Sequence, residues 1–173
     1  MPAARVFIDT NVIVYSRESA DDPRIVHARD WLAALVARDA LVVNVQVLNE
    51  LTHVLFRKRQ EMSPQDVFTA VDELAVYGST PVSIDTVIEA RRLRLANGFS
   101  WWDCLLLASA AELGCSHFLS EDLHDGQKIG AGFTHRGGHD LDDPERQRDF
   151  RDFVEPGARS GGGQWVHSFL LPM

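Results

Sequence analysis

From Arg5 onward the chain alternates between two hydrophobic periods. The short apolar runs "RVFID", "ALVVN", "TPVSI" and "CSHFLS" have the length and β-branched content of buried strands. Helical patterns lie between them. "TNVIVYS" opens a helix directly behind the first run, and "PRIVHARDWLAALVARD" places Ile25, Trp31, Leu32, Leu35 and Val36 on one side of an amphipathic helix. "VQVLNELTHVLFRKRQ" predicts a long helix ending in a basic turn, as the helix dipole favours. In "SPQDVFTAVDELAVY", Ser63 stands as N-cap, Pro64 at the first helical position and Asp66 where a capping box closes. "DTVIEARRLRLANG" and "SWWDCLLLASAAELG" read as helices stopped by Gly98 and Gly114. Strands separated by helices pair in parallel through right-handed crossovers. The pattern therefore predicts an α/β fold of three layers, a central parallel sheet flanked by helices.

Composition narrows the class without changing the architecture. The 173 residues fit one domain, and 45% hydrophobic content is enough for a real core. No run approaches the roughly 20 apolar residues of a membrane span, so no membrane partner is expected. Cys104 and Cys115 sit among apolar or small residues and read as buried thiols of a reduced, cytoplasmic protein rather than as metal ligands. A formal charge of −8 argues against a binder that coats duplex phosphate by bulk charge, though an acidic protein with a local basic patch stays compatible with it. It is also compatible with an acidic cluster that holds cations.

Four acids stand where such a cluster can form. In parallel sheets, sites gather beyond the carboxyl ends of strands. Asp9 ends the first strand, and Asp122 follows the fourth in "FLSEDL". Glu50 and Asp103 interrupt otherwise apolar helical stretches, "VQVLNELTHVL" and "SWWDCLLLASA". Burying an unpaired carboxylate costs several kcal/mol, and a hard divalent cation such as Mg²⁺ or Mn²⁺ suits oxygen ligands. Each acid also has a plain structural role open to it. Asp9 can cap the helix behind it, Asp103 can pair with Ser100 in a capping box, Glu50 can pair with an arginine, and Asp122 can sit in a turn. Their joint placement, two at strand ends and two on helices able to converge there, favours a common site.

Taken together, "FIDTNVIVYS", "LNEL", "SWWDCLLLASAAELGC" and "FLSEDLHDGQ" resemble the PIN-domain ribonucleases, specifically the VapC-like toxins of type II toxin-antitoxin systems. The likeness runs over about residues 5 to 130, which sets out a PIN-like ribonuclease domain at 1–130 and an atypical extension at 131–173. It implies that Asp9 and Asp103 are the principal metal ligands, directly or through water. It implies that Glu50 completes the pocket and holds or orients the attacking water, and that Asp122 is the last acid. Ser120 takes the hydrogen-bonding Ser/Thr position, and Asn11 positions the first carboxylate. The activity implied is Mg²⁺-dependent endonucleolytic hydrolysis of RNA, with Mn²⁺ as an alternative ion. The partners implied are an RNA substrate, a cognate antitoxin whose tail occupies the acidic pocket, and a second copy in a homodimer. The competing reading is a non-catalytic PIN-like module whose pocket only docks an antitoxin or other partner. A haloacid dehalogenase-type enzyme needs a second Asp where Asn11 stands, and a receiver domain needs paired acids after the first strand.

Substrate contacts are sought in Arg57, Lys58 and Arg59 and in Arg91, Arg92 and Arg94, although charge runs at helix ends are usually solvated. His53, three residues after Glu50, reads as an ordinary histidine rather than a general base. Of Trp101 and Trp102, one is expected in the core, leaving the other to stack on a base. The departure from the family lies at the end. From Gly130 to Met173 no further strand is expected, and the segment admits three readings: a disordered extension, an added helix from "DPERQRDFRDFVE", or an end replaced by a frame change. His135, His139 and Asp140 have metal-like spacing but lack Cys partners.

Overall fold

The computed structural model describes residues 5–18, 23–120 and 134–137. Among them, four strands form one parallel sheet in the order β2-β1-β3-β4. These are β1 (Val6–Ile8), β2 (Leu41–Val42), β3 (His117–Ser120) and β4 (Thr134–Gly137). The helices are α1 (Thr10–Ser16), α2 (Pro23–Ala37), α3 (Val45–Lys58), α4 (Pro64–Ala75), α5 (Ile84–Asn97) and α6 (Trp101–Glu112). The expected α/β class, a central parallel sheet flanked by helices, is what the chain adopts.

The strands are short; β1 and β2 are buried throughout, and β3 is buried except at half-buried His117. Val6, Phe7 and Ile8 are all buried, and Phe7 stacks on Phe118 of the neighbouring strand with ring centroids 5.8 Å apart. Leu35 of α2, Val47, Leu51 and Leu55 of α3, and Leu106, Leu107 and Ala110 of α6 pack into the same cluster. A smaller cluster of Ala90, Cys104, Leu105 and Ala108 joins α5 to α6.

Local signals placed several helix ends correctly. The Ser63 hydroxyl accepts from the Asp66 backbone N–H at 3.2 Å, and the Asp66 carboxylate accepts from the Ser63 N–H at 3.1 Å. Pro64 occupies the first turn of α4. Removing one half of this box by Ser63→Ala should cost about 1 kcal/mol, read as a lower urea midpoint at unchanged slope. Gly98 adopts a left-handed conformation, φ 73°, and its N–H bonds the Arg94 carbonyl.

Two strand expectations are overturned. "TPVSI" forms no strand. Pro81 has no N–H to give a ladder, and Ser83 is drawn into the start of α5, accepting from the Thr86 N–H at 3.0 Å while its own N–H bonds Thr86 Oγ1. What remains beside the sheet is two backbone bonds, Val43 N–H to Tyr77 O and Val45 N–H to Thr80 O. Conversely, residues 134–137, where no strand was expected, run parallel to all of β3, with His117 opposite Thr134 and Ser120 opposite Gly137. Ladder bonds use backbone groups, so a polar tetrapeptide beside an existing strand can pair without an apolar signature. The sheet thus takes in residues beyond 130. The other tail readings, with His139 and Asp140, lie outside the described residues. Of His135, only its backbone in β4 is described.

Candidate active site

β1 and β3 are neighbours whose onward connections lead to opposite sides of the sheet, β1 toward β2 and β3 toward β4. That arrangement is a topological switch point, where a crevice opens beyond the carboxyl ends of the strands. Asp9 stands at this point with its N–H bonded to the Leu119 carbonyl at 3.0 Å. It takes the N-cap position of α1, yet its side chain makes no capping hydrogen bond. The carboxylate is engaged by a residue 111 positions away: Ser120 Oγ donates to Asp9 Oδ2 at 2.7 Å. Asn11 Nδ2 in turn donates to Ser120 Oγ at 3.3 Å. Because the amide occupies a lone pair of the hydroxyl, the Ser120 proton is directed at the carboxylate. Asp9 is only 6% exposed and Ser120 is fully buried, so this chain of bonds is shielded from water competition.

Glu50 is tied to the same corner through the residue next to Asp9. Thr10 Oγ1 donates to Glu50 Oε2 at 3.0 Å, and Gln46 Nε2 donates to Glu50 Oε1 at 3.2 Å. Its partners are therefore a hydroxyl and an amide on α1 and α3, rather than an arginine. The helix that carries Glu50 is anchored by Asn44, whose Oδ1 accepts from the Val47 N–H at 3.1 Å. Asn44 and Gln46 were not singled out from the sequence; the Asn just after an apolar run and directly before a helical pattern was a readable N-cap signal.

Asp103 lies half-buried in the first turn of α6, where its N–H bonds Ser100 Oγ at 3.1 Å. No hydrogen bond or ion pair among the described residues links its carboxylate to Asp9 or Glu50. Asp122 lies outside the described residues. Among those described, no three His, Cys, Asp or Glu side chains gather closely enough to form a ready metal cage. The available donors are nonetheless all oxygen, which fits a hard divalent cation. Mg²⁺ commonly binds through one or two carboxylates, with waters and substrate phosphate completing its shell.

The expected tryptophan arrangement is corrected. Neither Trp101 nor Trp102 enters the core; they are 36% and 61% exposed. Cys104, Leu105, Leu106 and Leu107 take the buried positions of α6, which leaves both tryptophans of the first turn outside the packed clusters. His53, Arg57, Lys58, Arg91, Arg92 and Arg94 are exposed, and Arg59 is half-buried with its guanidinium on the Arg17 carbonyl. Arg92 is paired with Glu89 at 3.1 Å.

Both cysteines are buried, as expected. Burial pushes the Cys104 thiol up, and the neighbouring Asp103 carboxylate adds to that shift while Arg94 opposes it. Burial pushes Cys115 up to about 11, with Arg5 pulling the other way. The thiolate is the reactive form. In the folded protein at pH 8 both thiols should react with a disulfide reagent at least about a hundredfold more slowly than free cysteine, and denaturant should release both. Rapid native labelling of either would contradict the burial.

The PIN domain family model matches residues 6–124, and the chain belongs to the PIN domain family. Solved structures with the same fold include a toxin-antitoxin complex from Klebsiella pneumoniae, with 16% identity and a TM-score of 0.54 over 72% of this chain and 92% of that one. VapC20 of Mycobacterium tuberculosis, described as a sarcin-ricin loop cleaving toxin, shares 20% identity with a TM-score of 0.51 over 75% and 96%. VapBC2 of Rickettsia felis, bound to a promoter DNA fragment, shares 14% with a TM-score of 0.56 over 76% and 97%. At these identities the likeness speaks for the fold alone. No curated protein matches the chain at the sequence level. No described helix is long and apolar enough to cross a membrane.

Proposed function

We propose that the protein is a metal-dependent endoribonuclease, the toxin component of a type II toxin-antitoxin system, acting at Asp9, Glu50, Asp103 and Asp122. The observation that carries this reading is the buried Asp9 carboxylate at the switch point, oriented by Ser120 and Asn11, with Glu50 tethered beside it through Thr10. Membership of the PIN domain family and the toxins among the structural relatives support it.

Asp9 and Asp103 are the proposed principal ligands of Mg²⁺ or Mn²⁺, with Glu50 and Asp122 completing the site. Bound there, the ion would supply Lewis acidity toward phosphoryl oxygen and a lowered pKa for bound water. The chain's own residues do the positioning. Asn11 and Ser120 hold Asp9 in one rotamer, and Thr10 and Gln46 hold both oxygens of Glu50, leaving it placed to orient a water for attack on phosphorus. A cognate antitoxin presenting its tail to the acids, and a homodimeric assembly, complete the biological reading.

Purified protein incubated with a cellular RNA pool should yield discrete cuts with Mg²⁺ or Mn²⁺ and none with chelator. Asp103→Asn should abolish them. The rival, a docking module without catalysis, draws support from the absence of a three-ligand cage among the described residues. Folded, antitoxin-free protein that cuts nothing under any metal condition would establish the rival instead.

A further inference from the structure

The first turn of α6 exposes two large aromatic rings beside a proposed metal ligand. Trp101 and Trp102 precede Asp103 directly and are 36% and 61% exposed. Consecutive helical residues point about 100° apart, so the two indoles cannot stack on each other and each presents its own face. A cation stands at the same place. Arg94, near the end of α5, donates through Nη1 to the carbonyls of Gly98 and Phe99, in the loop that leads into this turn. Those acceptors are neutral, so the guanidinium keeps its full charge. Arg91 lies exposed on the same helix.

Exposed indoles with an unneutralised guanidinium in the loop region before them are a combination that holds unpaired nucleotides, the rings stacking on bases and the cation meeting the phosphate. An apolar protein surface is a poorer fit for this spot, because docking there would bury the half-exposed Asp103 carboxylate unpaired. We infer that Trp101 and Trp102 form a stacking platform for unpaired RNA bases beside Asp103, with Arg94 contacting the intervening phosphate. The inference rests on the nuclease reading and adds to it the residues that hold the bases.

The test is the affinity of the full chain for a fluorescein-labelled 12-nucleotide single-stranded RNA, read by anisotropy with Ca²⁺ in place of Mg²⁺. A base stacked on an aromatic ring contributes about 1–3 kcal/mol, so Trp101→Ala and Trp102→Ala should each weaken binding by about tenfold. Trp102→Phe, which keeps a ring, should stay within about threefold of the parent. Binding of a perfect duplex of the same sequence should be indifferent to all three. Both positions are exposed, and melting curves should show the variants folded. In Mg²⁺ turnover the alanine variants should raise KM with kcat little changed. Two alanine variants that bind the single strand like the parent overturn the platform. Loss of self-association with unchanged RNA affinity also overturns it and assigns the rings to a protein contact. Cleavage that ignores the tryptophans leaves the nuclease reading standing without the platform. Tryptophan-dependent binding with no cleavage under any metal does the reverse.

Discussion

Asp9→Asn is expected to reduce metal-dependent RNA cleavage by about a thousandfold or more while leaving the protein folded. The substitution is isosteric and retains an oxygen able to accept the Ser120 hydroxyl, now at 2.7 Å from Oδ2. What it removes is the negative charge. A neutral amide is a weak ligand for a hard cation, so the loss falls on chemistry rather than structure. Asp9 is buried, and neutralising a desolvated carboxylate does not penalise folding as a cavity would. The melting temperature should therefore hold or rise. Ser120→Ala should give a smaller activity loss, because it frees the carboxylate to rotate without removing its charge. An Asp9→Asn protein that cuts RNA at the parental rate would end the proposed mechanism, and one that loses activity only by unfolding would leave Asp9 as a purely structural residue.

Gly78→Ala should destabilise the fold by roughly 3 kcal/mol or more, the largest effect expected of an added methyl group at the described glycines. Gly78 has φ 153°, a conformation that side chains rarely adopt, and a Cβ built there would lie 2.1 Å from the Val43 carbonyl oxygen. The obstacle is backbone, so it cannot swing aside as a side-chain tip would. Val43 is also held from the other direction, its N–H bonding the Tyr77 carbonyl at 3.4 Å. Relief would require shifting the segment that follows β2 and enters Asn44, the N-cap of the helix carrying Glu50. Activity should fall alongside stability for that reason. Urea unfolding of the variant would measure the cost, and a change below about 1 kcal/mol would show that the loop moves freely from β2.

The helices were legible because their information is local. Ser63 and Asp66 satisfy one another within a single turn that Pro64 starts, and Gly98 supplies its left-handed stop without help from elsewhere. The strands were legible only where apolar side chains marked burial, as in β1 and β3. "TPVSI" carried that mark and formed no strand, while the polar residues 134–137 lacked it and became β4. Strand identity depends on which backbone groups lie alongside, a nonlocal matter that composition does not encode.

The candidate site divides along the same line. The residue types at Asp9, Asn11, Glu50, Asp103 and Ser120 were apparent from the sequence, but capping and site chemistry were both open to Asp9. Parallel pairing of β1 with β3 brought Ser120 across 111 residues to the carboxylate, and the side chain makes no capping bond. Thr10 and Gln46, which hold Glu50, gained their roles only when α1 met α3. The exposure of Trp101 and Trp102 had the same origin, since an aromatic ring is buried only if a neighbour covers it. By itself, then, the sequence determined the fold class, most helix limits and the chemical character of the site. Tertiary structure decided the strand partners, the orientation of the carboxylates and which rings face solvent, because each depends on contacts between segments far apart in the chain.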